Sequence, residues 1–140
     1  MAETGRMLVT VWMDAWQQQC CGEEFHVGSS VAWTLVDRDI GWLEPVVGAE
    51  KLERIRFAED HHALADSRPK TPAYVQSIDA VLCQYSHSTS PTRQAAVVPG
   101  SVIFRSVQRA TGWEDETDGR HFLGYLVDLD VASVGGDEGT

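Results

Sequence analysis

Basic residues are scarce in this chain: 11 Lys and Arg stand against 21 Asp and Glu in 140 residues, a net charge of −10. A chain so short of cations offers no basic patch for a phosphate backbone, so nucleic-acid binding is not expected. Cysteine is scarce too. There are three, an odd number, and Cys20 and Cys21 are adjacent. Neighbouring Cα atoms lie about 3.8 Å apart, closer than a relaxed disulfide takes, so the thiols are expected to be reduced and the protein cytoplasmic. No apolar run approaches the roughly 20 residues of a membrane-spanning helix, so no membrane partner is expected. The opening MAETGRMLVTVWMDAW lacks the basic start and apolar stretch of a secretory signal. Internal repeats, serine-hydrolase motifs, phosphate loops and dinucleotide fingerprints are all missing. Gly112, Gly119 and Gly124 are too dispersed, in too acidic a setting, to cradle phosphate.

What is present reads as strand. In HFLGYLVDLDV (121–131), Leu123, Tyr125, Val127, Leu129 and Val131 alternate with Gly124, Asp128 and Asp130. A strand sends both Asp to one face, whereas a helix would separate them. VAWTL (31–35) alternates in the same way and places Trp33 in the core. AYVQSIDAVLCQY (73–85) opposes Tyr74, Ile78, Ala80 and Leu82 to Val75, Val81, Cys83 and Tyr85. Two apolar faces suit a central strand covered on both sides or bent round a barrel. LVTVW (8–12) and SVIFRSVQ (101–108) add two more strands. Pro45 makes WLEPVV (42–47) an edge strand or a connection. Only KLERIRFAEDHHALAD (51–66) suits a helix, and Ile55 and Phe57 alternating with Arg54 and Arg56 favour strand over 52–57.

The expected fold is therefore all-β: a small, mainly antiparallel, partly open barrel of about six to eight strands, with at most one short helix. The turn FHVGSSV followed by an alternating strand is similar to the opening of SH3-like or OB-like barrels. Residues 1–134 are expected to form one domain and 135–140 a flexible acidic tail.

Cys20, Cys21, His26, His61 and His62 are the right residue types for zinc. Zinc ribbons and fingers space paired ligands two to four residues apart, so that one turn aims both at the metal. Adjacent residues on a strand point to opposite faces, and each of these pairs needs a tight turn to share an ion. The competing view is that Cys20, Cys21 and Cys83 pack as small apolar groups, with Gly22 making a turn, and packing is favoured. A thiol nucleophile paired with His61 or His62 trails both, since no local signature of a thiol hydrolase accompanies it.

The second candidate is a surface. Residues 111–140 hold eight acids against Arg120 alone. Trp113 stands beside Glu114, Asp115, Glu116 and Asp118, and is the Trp most expected to be exposed. An exposed Trp among acids suits a basic protein partner. The blander readings are a solvated acidic face and a half-buried indole.

The segments WxxxWQxQCCGxxFxVG (12–28), His61-His62, IxAVxCxY (78–85) and GYLVDL (124–129) together resemble an uncharacterised actinobacterial family of small proteins, a domain of unknown function. The resemblance implies a bacterial, cytoplasmic protein and supplies no activity, ligand or catalytic residue. The sequence thus favours a non-enzymatic binding or interaction module without a cofactor. The alternative is a zinc protein using Cys20 or Cys21 with His61 or His62.

Overall fold

The computed structural model describes residues 6–15, 24–59, 70–85, 98, 100–116 and 119–132. Within them the chain runs β1 (Arg6–Asp14), β2 (Phe25–His26), β3 (Ser30–Trp33), β4 (Leu35–Asp37), α1 (Ile40–Val47) and α2 (Ala49–Arg54). It continues through β5 (Ile55–Glu59), β6 (Thr71–Cys83), β7 (Ile103–Val107), β8 (Arg109–Ala110) and β9 (His121–Ala132). Seven strands form one sheet in the order β3-β6-β9-β1-β5-β4, with β7 also paired to β6; β2 and β8 pair separately. The β1–β5 pairing is parallel and the others are antiparallel. Thr34 alone separates β3 from β4, yet these strands form the two edges of the main path. One stretch of chain therefore runs along both edges, and the sheet curls into a small, all-β, partly open barrel.

The inner face of the curl carries Val9, Val11, Met13, Val75, Ile78, Ala80, Leu82, Tyr125, Val127, Leu129 and Val131, packed with Phe25 and Trp33. Stretches of strict alternation in β1, β6 and β9 produce this face, since side chains of a strand repeat every second residue. The outer face is covered as well. Trp12, Val81, Cys83, Leu123 and Leu126 lie against Leu43, Val46, Val47 and Leu52 of the helices. A sheet buried on both sides accounts for the two apolar faces of residues 73–85.

Two β-bulges alter the faces that simple alternation predicts. The β6–β9 register shifts between Val75 and Ser77, and again between Val81 and Leu82, where Gly124 and Phe122 are the partners. An extra residue in one strand reverses the side-chain parity beyond it. Val75 therefore joins Ile78, Ala80 and Leu82 on the inner face, while Leu123 turns to the helices and Phe122 replaces it beside Tyr125. Tyr74 is left exposed.

There are two short helices rather than at most one. Residues 42–47, expected as an edge strand or a connection, lie in α1. The Asp39 carboxylate accepts from the Trp42 N–H at 3.2 Å, an N-cap, and Leu43, Val46 and Val47 form one apolar stripe. Pro45 lies inside this helix. Its missing N–H costs one intrahelical bond, which the burial of that stripe offsets. Residues 52–54, expected as strand, close α2, and the strand begins only at Ile55. The Arg38 guanidinium donates to the carbonyls of Leu52, at 3.1 Å, and Ile55. A cation bonded to the last carbonyls of a helix favours its ending there. No helix among the described residues is long and apolar enough to cross a membrane.

Candidate functional site

After β8 the chain turns at Gly112, where φ is +87° and side chains other than glycine's are strained. The Gly112 N–H donates to the Tyr125 hydroxyl at 2.9 Å, and that hydroxyl donates to Glu114 Oε2 at 2.6 Å. Glu114 Oε1 lies 3.7 Å from the Arg105 guanidinium, which also donates to the Asp115 carbonyl at 2.9 Å. Tyr125 is fully buried, its ring edge-on to Phe122 at 4.8 Å and to Phe25 at 6.3 Å. One buried aromatic residue thus holds a surface loop by its backbone and by the Glu114 carboxylate.

Tyr125 sits in the strand pattern as a core residue, and its hydroxyl is the polar handle that a buried Tyr must satisfy. Burial first, and then the bond to Glu114, push its ionisation above the ordinary value of about 10.

Trp113 stands on this loop with 70% of its surface exposed, more than any other large apolar residue described. Its backbone N–H donates to Thr111 Oγ1 at 3.1 Å. Asp115 and Glu116 follow it in the loop, and both are exposed. Glu116 also braces the start of β9: Oε2 accepts from the Phe122 N–H at 3.0 Å, and Oε1 is 3.4 Å from His121 Nδ1. Glu114 differs from its neighbours. Its side chain is only 11% exposed and is engaged by Tyr125 and Arg105. It belongs to the loop's anchor rather than to an outward-facing acidic surface. Asp118 lies outside the described residues. Alternation places Tyr125 in the core but does not show that Tyr125 and Arg105 anchor the loop, because the strand pattern reports which face a residue takes and not what its polar tip meets.

The zinc candidates Cys20, Cys21, His61 and His62 likewise lie outside the described residues. Among the described residues no group of three or more His, Cys, Asp or Glu is placed to hold a metal ion. Cys83 is completely buried. Burial raises its thiol pKa, and the contact with Tyr85 offsets this only in part. The thiolate is the reactive form, so Cys83 is chemically quiet. In the native protein, iodoacetamide near neutral pH is expected to leave Cys83 unmodified over a time in which a model thiol reacts completely. Peptide mapping that finds Cys83 alkylated would contradict this placement.

Fold and loop define the class: a small, partly open β-barrel that presents one internally anchored, tryptophan-bearing acidic loop. The chain belongs to a family of unknown function, DUF6578, whose sequence profile matches residues 7–131. No curated protein and no solved structure matches it.

Proposed function

We propose that this protein is a non-enzymatic binding module whose Trp113 loop docks a basic protein partner in the bacterial cytoplasm. The observation that carries the reading is an indole 70% exposed on a loop whose backbone is tied to the barrel core through Tyr125. An exposed aromatic anchor on a pre-ordered loop loses little entropy on binding, and Trp is among the commonest energetic centres of interfaces. Asp115 and Glu116 beside it, in a chain of net charge −10, favour a cationic partner and speed the encounter. The reduced cysteines that the sequence implies suit a cytoplasmic setting.

The test is affinity capture from host cells with wild-type protein and Trp113→Ala. The wild type is expected to retain a basic protein that high salt releases and Trp113→Ala does not retain. The variant itself should unfold within about 0.5 kcal/mol of wild type, since an exposed side chain contributes little to folding. Capture of the same proteins by both, or of an acidic partner insensitive to salt, would overturn the reading.

A further inference from the structure

The two ends of the barrel are filled differently. Around Tyr125 the interior is closed by aromatic rings: Phe122 lies 4.8 Å from the Tyr125 ring and Phe25 6.3 Å from it, both edge-on. Six residues further along β9, about 20 Å at 3.3 Å per residue, the interior at Val131 opens into a cleft of about 460 Å³. Met7, Val9, Leu35, Phe57 and Val131 supply its apolar wall. Leu35 and Phe57 pack against the inner core, yet both remain only half-buried. Interior side chains left partly open at a barrel mouth mark a place where burial is incomplete, and such mouths are common ligand sites.

The polar groups of the wall are confined to one side. Lys70 and Thr71 are consecutive at the start of β6. Lys70 is exposed and makes no hydrogen bond or ion pair with any described residue. A cleft with one lysine at its rim and apolar side chains opposite is complementary to a molecule with one anionic end and an apolar body. A ligand with several polar groups would find no partners along Met7, Val9, Leu35 and Val131, and burying those groups unpaired would oppose its binding.

We propose that this cleft binds a single-chain aliphatic carboxylate, with the chain along the Leu35–Val131 wall and the carboxylate at Lys70. The site is separate from the Trp113 loop, so it stands or falls independently of the docking role.

The test uses the full chain and decanoate, decanol and decyltrimethylammonium at concentrations where each stays monomeric. Binding is read by calorimetry and by NMR shifts of the Met7, Leu35 and Val131 methyl groups. Decanoate is expected to bind more tightly than decanol and far more tightly than the cation, and to shift those methyls. Affinity should rise about fourfold per added methylene until the cleft is full. Lys70→Gln, at an exposed position, should weaken decanoate about fivefold and leave decanol unchanged. Leu35→Trp should block both ligands, while the thermal transitions of the two variants show that each is folded. The proposal is overturned if decanoate does not bind, if the shifts lie elsewhere, or if decanol or the cation binds as tightly. It is also overturned if Lys70→Gln leaves decanoate affinity intact, or if sedimentation shows that a second copy of the chain occludes the mouth.

Discussion

Gly124→Ala should lower the thermal midpoint by roughly 10 °C or more, from a destabilisation of about 3 kcal/mol. A Cβ at Gly124 would fall inside the contact distance of the Met13 carbonyl oxygen and 2.8 Å from Trp12 Cζ2. Neither neighbour can give way easily. The Met13 carbonyl belongs to the β1 backbone, whose pairing with β9 runs unbroken from Arg6–Ala132 to Asp14–Gly124. The Trp12 ring is held by its own Nε1–H, which donates to Asp14 Oδ1 at 2.8 Å, and by Trp42, 5.4 Å away. Trp12 is diagonal to Gly124 across the ladder and covers the space that a side chain would fill, the way aromatic residues rescue a glycine within a sheet.

Gly41→Ala supplies a control of opposite sign. Its added Cβ meets only Asp39 Oδ1, at 3.7 Å, and it lies in α1, where alanine is favoured over glycine by up to about 1 kcal/mol. Thermal unfolding of the two variants side by side checks the pair. A Gly124→Ala protein that melts with the wild type would mean that Trp12 does not lie over this position.

Much of the barrel was legible because alternation in residues 8–12, 101–108 and 121–131 reports a local property: which side of a pleated ribbon each residue takes. Parity fails where one residue is inserted, and neither Gln76 nor Leu123 carries a composition that announces a bulge. Simple alternation therefore predicts the wrong faces for Val75 and Leu123, although both are apolar strand residues. The helix at 40–47 was hidden by Pro45, whose prior against helix interiors is strong. The signals that outweigh it, the Asp39 cap and the Leu43–Val46–Val47 stripe, lie within one cap residue and an eight-residue helix, too short a window for periodicity to stand out.

The candidate loop was legible as a composition, a Trp among acids, but not as a mechanism. Nothing local separates Glu114 from Asp115 and Glu116. Arg105 and Tyr125, from two other strands, turn that carboxylate inward and leave its neighbours outward. The cleft at Lys70 was invisible for the same reason, since Met7, Leu35, Phe57 and Val131 come from four strands distant in sequence.

Tyr125→Phe isolates the part of the loop that sequence could not supply. The variant keeps the ring and its edge-on contacts, and removes the donor to Glu114 and the acceptor of the Gly112 N–H. Removing the hydroxyl donor of a poorly exposed carboxylate and the Tyr125 acceptor of the Gly112 N–H should cost about 2 kcal/mol, with Arg105 retaining part of the balance for Glu114. Amide exchange at 112–116 should quicken while β6 and β9 stay protected, because the loop loses its tie and the barrel does not.

The pH dependence carries a further signature. Tyr125 ionises above its ordinary value in the folded state, so below about pH 10 both states are protonated and its contribution is fully present. As pH rises through that value, the unfolded chain loses its proton first and stability falls until the folded hydroxyl also ionises. Wild-type stability should therefore decline above about pH 10, and Tyr125→Phe should decline less steeply. Some slope should persist in the variant, because burial also raises the ionisation of Tyr85 and Cys83. Chemical denaturation of both proteins from pH 8 to pH 11 distinguishes the outcomes. Parallel stability profiles would mean that the Tyr125 hydroxyl is solvated in the folded protein and that the Trp113 loop is held by something else.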